Sequence, residues 1–165
     1  MIPKIETERC VLRGMTGADF DRFADIWAQP EVYRFISATA RTRTESWAAM
    51  LRYAGSWPLL GYGQWVIVER ESGLMLGHPG FMLAMRGLGA DFDAAPECAW
   101  VLAREAQGRG IGPEVVRAVH SWADTTGLGR SHVIIEAAHA GSIAVGARWA
   151  TAASARRTMA ARRWS

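Results

Sequence analysis

Gln107-Gly108-Arg109-Gly110-Ile111-Gly112 sets three glycines at alternate positions between an apolar run ending at Leu102 and an amphipathic run beginning at Pro113. Alternate glycines let the main chain take dihedrals closed to other residues and approach a ligand closely. The unpaired amides of a helix start point at whatever sits there, and the helix dipole favours an anion. Pro113, read as the first helical residue, gives up no needed hydrogen bond. The Arg109 guanidinium can add charge-assisted bonds to phosphate oxygens. The run therefore reads as a pyrophosphate cradle. It is not a Walker A loop, which needs GxxxxGK followed by Ser or Thr, and Pro113 stands where a dinucleotide fingerprint needs its third glycine.

Working outward, Cys98 to Leu102 is a short apolar strand. Pro113 to Thr126 is a helix with Val115, Val116, Val119, Trp122 and Ala123 facing inward. Gly127 to Gly129 ends it, and His132 to Ala137 reads as a buried strand. Upstream, Glu6 to Arg13 is expected as one strand, with a helix from about Phe20 to Pro30 and a short one over Glu31 to Ile36. Another helix is expected from a Thr44 cap to about Gly55, with Trp47, Met50, Leu51 and Ala54 inward. Gln64 to Glu69 and Leu74 to Leu83 are strands around a turn at Glu71-Ser72-Gly73, the second loosened by Gly77, Pro79 and Gly80. Arg86 to Pro96 is a polar loop. Hairpin strands followed by a strand-helix-strand unit predict an α/β (α+β) fold, a mixed sheet with helices on its faces.

A chain of 165 residues, 50% hydrophobic and 21% charged, suits one soluble domain. It has no apolar run of the roughly 20 residues that span a bilayer. Met1 to Glu6 lacks a signal peptide's apolar stretch, so a cytoplasmic address is the expectation. Cys10 and Cys98 lack CxxC spacing, and the four histidines form no ligand grouping, so no metal is expected. The net charge of +3 comes wholly from residues 146–165, which hold five Arg and no acid. The rest carries 14 basic and 16 acidic side chains. A nucleic-acid partner would rest on that tail alone and is not expected.

Gln107-x-x-Gly110-x-Gly112 matches the Arg/Gln-x-x-Gly-x-Gly/Ala motif of the GNAT acetyltransferases. Thr7-Glu8-Arg9-Cys10-Val11-Leu12-Arg13 is similar to the TERLxLR opening of the RimJ/RimL-like branch. Gln64 to Glu69 and Leu76 to Phe81 resemble its central hairpin. Pro96-Glu97-Cys98-Ala99-Trp100-Val101-Leu102 looks like the strand before its cofactor loop. The resemblance runs from about residue 6 to residue 145 and implies the GNAT fold, with a mostly antiparallel sheet.

It also implies transfer of acetyl from acetyl-CoA, as co-substrate, to a primary amine on a protein N-terminus or a small molecule. In this family the strand before the loop splays from its neighbour, and its main chain takes the pantetheine arm like an added strand. That role would fall on Trp100, Val101 and Leu102. The loop of Gln107, Gly108, Arg109, Gly110, Ile111 and Gly112 would hold the pyrophosphate. An attacking ammonium must lose a proton, and Glu97, matching the family's acidic position, is the candidate base. No tyrosine follows Tyr62 to protonate the leaving thiolate. Ser142, in His139-Ala140-Gly141-Ser142, matches the serine of the branch's N-x-x-S motif and is the candidate acid, with His139 at the Asn position. The plainer alternatives are a surface glutamate and a helix-cap serine. Most tryptophans are expected in the core, with Trp57 and Tyr62 weaker candidates for an acceptor wall.

The chain departs from the family after Val145, where an amphipathic helix normally runs to a Leu-Gly-Phe or Leu-Gly-Tyr turn and a closing hairpin. Residues 146–165 are instead Ala/Arg-rich, and the last two strands are not recognisable. This divides the chain into an acetyltransferase domain, 1–145, and an atypical tail, 146–165. A reading-frame shift near Val145 would account for the tail, because one base earlier the codons can encode Leu-Gly-Tyr. A helical tail is the competing explanation. A missing hairpin would expose a sheet edge, inviting a homodimer, and remove one wall of the acceptor site. The second reading of the chain is thus a catalytically impaired CoA-binding domain.

Overall fold

A computed structural model describes the backbone of residues 1–152 and 157–162, with side chains through Arg148. The expected first strand is two strands. The chain turns at Thr7, so that Ile5–Glu6 (β1) and Cys10–Arg13 (β2) pair antiparallel with Ile5 opposite Leu12. Thr7 closes the turn, its amide and its hydroxyl both donating to the Cys10 carbonyl at 2.9 and 3.0 Å. Its side chain offers the local bond that breaks a strand. Phe20–Ala28 (α1) and Pro30–Tyr33 (α2) follow.

The next helix, Arg43–Leu60 (α3), starts before and ends well beyond its expected limits. Its cap is Thr42, which forms a reciprocal capping box with Glu45. The helix runs through Pro58 to a left-handed Gly61. This different span turns its face: Ser46, Ala49, Met50, Tyr53 and Trp57 are buried, while Trp47 and Leu51, expected inward, are 42% and 53% exposed.

Val66–Glu69 (β3) and Met75–Met82 (β4) then form the central hairpin. Gly77, expected to loosen β4, allows close packing instead. Its φ is +147°, and a Cβ there would lie 2.0 Å from the Val101 carbonyl oxygen. The expected loop after β4 contains a short helix, Ala90–Asp93 (α4). Glu97–Leu102 (β5), Ile111–Thr126 (α5), Ser131–Glu136 (β6), Ala140–Ala152 (α6) and Arg157–Arg162 (β7) complete the order. One strand is therefore present in the tail where none is recognisable in the sequence. It runs parallel to β6 from Ser131 opposite Arg157 to Glu136 opposite Arg162. Among the described residues it closes the sheet singly, without the family's hairpin partner.

The sheet follows chain order, antiparallel from β1 to β5 and parallel from β5 to β7. Its two faces carry separate cores. Leu12, Trp65, Ile67, Leu76 and Phe81 pack against Ile111, Val115 and Val119 of α5. On the other face Val66, Met75 and Val101 pack against Phe23, Ile26 and Trp27 of α1 and Met50 and Tyr53 of α3. Each fully buried aliphatic or phenyl side chain contributes about 1.5–3 kcal/mol, so both layers hold the sheet rigidly under the site. Cys10 and Cys98 are buried free thiols. No helix among the described residues is long and apolar enough to cross a membrane.

Candidate active site

The sheet opens between its two parallel central strands. β5 and β6 are in register only at Glu97 opposite His132. Beyond that pair, Trp100 and Val101 border two clefts that meet around Phe35, His139 and Ser142, and Leu102 borders one of them. One cleft, of about 580 Å³, is walled by Trp100, Val101, Leu102, Gln107, Gly108, Gly110 and Gly112. The other, of about 550 Å³, runs inward past Glu97 to Tyr53, Gln64 and His78. Glu97, Ser142 and the residues expected to hold the cofactor border these clefts, except Arg109 and Ile111.

The glycine run adopts the expected conformation. Gly108 and Gly110 have φ of +71° and +78°, a region that suits glycine. α5 starts at Ile111, two residues earlier than expected, which makes Pro113 its third residue. A proline is tolerated there because the first-turn amides have no intrahelical acceptor. Gln107 Nε2 donates to the Leu102 carbonyl at 3.0 Å and ties the loop back to β5. The Ile111 side chain is fully buried in the core, so only its main chain belongs to the loop surface. Arg109, expected to reach phosphate, has its guanidinium 2.5 Å from Glu69 and a further bond to the Glu105 carbonyl.

A residue not selected from sequence organises this loop. The Arg9 guanidinium donates to the Arg109 carbonyl at 2.6 Å and to Glu114 Oε2 at 2.8 Å, and its amide donates to Glu114 Oε1. Burial alone would raise the Glu114 carboxyl, but bonds from Thr7 and Arg9 outweigh it and hold the carboxyl below its ordinary value. Glu114 lies in the first turn of α5, where the helix dipole also favours an anion. The Thr-Glu-Arg opening was the available signal, since Thr7 and Arg9 both address this helix start.

Glu97 is 3% exposed at the start of β5. Arg86 grips both its oxygens, Nε to Oε2 at 2.6 Å and Nη2 to Oε1 at 2.7 Å. His132 Nε2 stands 3.9 Å from Oε2. A carboxylate has about four lone-pair positions, so two remain for other donors. Ser142 lies in the first turn of α6 and borders both clefts. The capping position is held by His139, whose Nδ1 accepts from the Ser142 amide at 3.4 Å. Its ring stacks on Phe35 at 4.2 Å. Burial, then nearby Arg34, pushes the His139 pKa down and favours this neutral acceptor form.

Trp57 and Tyr62 do not border the inner cleft. Trp57 donates Nε1 to the Gln64 carbonyl at 3.0 Å and packs edge-on against Trp65. Tyr62 packs against the same core. The aromatic wall comes instead from Tyr53, Trp27 and Phe35.

An opened parallel strand pair ending on a glycine loop at a helix start is the architecture of acyl-CoA-dependent acetyltransferases. The model of the Acetyltransferase (GNAT) domain family matches residues 9–149, and the chain belongs to that family. Its fold is similar to a protein from Bordetella pertussis assigned to the GnaT acetyltransferase family, at 28% identity over 88% of this chain and 86% of that one (TM-score 0.78). It is also similar to an acetyltransferase from Agrobacterium tumefaciens str. C58, at 27% identity over 90% and 82% of the two chains (TM-score 0.76). The RimL ribosomal L7/L12 α-N-protein acetyltransferase, solved with coenzyme A, shares the fold at 15% identity over 88% and 82% (TM-score 0.72).

Proposed function

We propose that this acetyltransferase moves the acetyl group of acetyl-CoA directly onto a primary amine, of a protein N-terminus or a small molecule. The observation that carries this reading is the opening of β5 from β6 onto the glycine loop. The main chain of Trp100, Val101 and Leu102 would hold the pantetheine arm, leaving the loop amides from Gln107 to Gly112 to face the pyrophosphate. A cleft of about 580 Å³ between them suits the arm.

Chemically, the amine nitrogen forms a bond to the thioester carbonyl carbon while the carbon–sulfur bond breaks. Glu97 takes the ammonium proton, directly or through water, on lone pairs that Arg86 leaves free. Ser142 gives a proton to the departing thiolate and is reprotonated by the second proton that the attacking nitrogen sheds as the amide forms. Arg86 then acts by fixing the direction of the Glu97 carboxylate. The test is calorimetric titration with acetyl-CoA followed by an amine panel with thiol release as readout. Micromolar binding and turnover of at least one amine are expected; absence of acetyl-CoA binding sinks the reading. Glu97→Gln should lower turnover roughly a hundredfold, within the usual range for removing a general base, with cofactor affinity retained. Unchanged turnover removes Glu97 from the mechanism.

A second reading, a CoA-binding domain with impaired catalysis, is favoured by the engagement of both Glu97 oxygens by Arg86. Acetyl-CoA binding without transfer to any amine would select it. We also propose that the acetyltransferase domain ends at residue 145 and that the 146–165 tail arose by a reading-frame shift. Gene codons that forbid Leu-Gly-Tyr in the alternative frame would end that origin. The same proposal gives a homodimer through the sheet edge and a cytoplasmic location, the first tested by sedimentation.

A further inference from the structure

The inner cleft contains a hydrogen-bonded chain whose polarity is fixed from one end. Trp27 Nε1 lies 3.0 Å from His78 Nε2, and His78 Nδ1 lies 2.5 Å from Gln64 Oε1. An indole nitrogen only donates, so His78 Nε2 must be the acceptor. The ring proton then sits on Nδ1 and is donated to Gln64 Oε1. His78 is stacked beside Phe23 and fully enclosed, and burial, then Arg41, pushes its pKa down to about 3. It stays neutral, with both nitrogens committed, and has no lone pair left to act as a base.

The consequence falls on Gln64. Its oxygen is committed to His78, which leaves Nε2 as a donor, and that atom is buried without a partner. Gln64 is 1% exposed and borders the inner cleft. A buried amide donor with nothing to bind costs about 1–3 kcal/mol, so its partner belongs to a ligand that brings an acceptor. Arg41 borders the same cleft, its guanidinium 3.3 Å from the Trp27 ring centre and its Nη1 enclosed without a partner. Arg52 is a third cleft residue, lying over Tyr53 at 5.2 Å. Neither Arg41 nor Arg52 forms an ion pair with a carboxylate among the described residues. The cleft thus has three guanidiniums, with Arg86, against two carboxylates, Glu97 and Glu136. With Arg86 committed to Glu97, Arg41 and Arg52 outnumber the remaining carboxylate, Glu136, and together with the Gln64 donor they favour an anion.

We infer that the acceptor is a primary amine carrying a carboxylate, bound through Gln64 Nε2, Arg41 and Arg52, with its amine toward Glu97. This rests on the acetyl-transfer reading and narrows it: cationic polyamines and neutral amines are disfavoured by the same guanidiniums. Arginine suits the task because its planar fork matches a carboxylate.

The test uses full-length protein, acetyl-CoA and matched acceptors: alanine, methionine and glutamate, their α-amides, their decarboxylated amines, and spermidine. At least one carboxylate should exceed its amide in kcat/KM by about tenfold or more, as one charge-assisted contact permits. Amides, plain amines or spermidine serving equally well overturns the inference. If no amine is acetylated, the same series is titrated calorimetrically into CoA-saturated protein. Tenfold tighter carboxylate binding supports the inference, and no binding by any carboxylate overturns it. Failure of acetyl-CoA itself to bind overturns the proposed function instead. Arg41→Gln should raise the carboxylate KM roughly tenfold and leave the acetyl-CoA KM within about twofold. Gln64→Glu, which puts a carboxylate where the donor stood, should abolish the preference while the variant still binds acetyl-CoA. Either variant keeping the full preference overturns the assignment of that residue.

Discussion

The two halves of the cleft are built by different means. In the proposed mechanism the cofactor half would draw on main-chain amides of consecutive residues, Gln107 to Gly112, shaped by glycines with positive φ. The inner cleft, the proposed acceptor half, is lined by side chains from distant segments: Trp27 from α1, Tyr53 from α3, His78 from β4 and Arg86 from the loop after it. A main-chain site leaves a local signature because backbone shape depends on a few adjacent residues. A side-chain site depends on which elements the fold brings together, and its polarity here is set by a chain from Trp27 to Gln64. Specificity can therefore vary without disturbing the cofactor loop.

The strongest way to break this division is to attack the strand that both halves share. Gly77 on β4 holds β5 at close range, and any Cβ would meet the Val101 carbonyl oxygen at 2.0 Å. Gly77→Ala adds backbone strain to an overpacked contact, each about 1–3 kcal/mol, so a loss on the order of 4 kcal/mol is expected in urea unfolding. Acetyl-CoA and acceptor binding should fall together. Loss of less than about 1 kcal/mol would mean that β5 moves aside easily, and the two halves would not share a rigid wall.

Next in size, Arg9→Ala should act on the cofactor half alone. It removes the bonds to Glu114 and to the Arg109 carbonyl that hold the loop against α5. The acetyl-CoA KM should rise roughly tenfold, short of the hundredfold that a 1 Å misplacement can cost. The acceptor KM should change little, while the thermal midpoint should fall because Glu114 is left buried without its guanidinium partner. Arg9 is a positioning residue on this view, and an equal effect on both KM values would show that the halves are coupled.

The same contrast explains what could be read in advance. The glycine loop, β5, α5 and β6 were legible because periodicity and glycine spacing are local. The split of β1 from β2 was hidden in Thr7, a polar residue inside a β-prone run. The α3 face was missed because Thr42, four residues before Ser46, and not Thr44, supplies the cap with Glu45. Glu97 was found as an acidic position, but its grip by Arg86 depends on a loop that returns over the sheet. Gln64 gave no signal at all, since an amide becomes informative only when a neighbour fixes which end donates.

The smallest effect separates the two halves by pH. His78, on the acceptor side, has its pKa pushed from 6.5 to about 3, chiefly by burial. The unfolded chain therefore binds a proton at a higher pH than the native one. Stability from this neutral ring is full above pH 6.5 and declines as pH falls toward 3, by at most about 1.4 kcal/mol per pH unit. His132 and His139 are also lowered, each chiefly by burial, and add to the same upper window. Glu114, on the cofactor side, sits below its ordinary 4.5, so its contribution is full above that value and is lost only as pH falls further. Urea midpoints measured from pH 7 to pH 3.5 should decline in both windows. His78→Phe should flatten the upper part of the profile, and Glu114→Gln only the part below about pH 4.5. If His78→Phe leaves the upper slope unchanged, the enclosed ring already carries a proton there, and the donor assigned to Gln64 loses its basis. Its amide would then be free to turn its oxygen toward the cleft, and the preference for a carboxylate would have to rest on Arg41 and Arg52 alone.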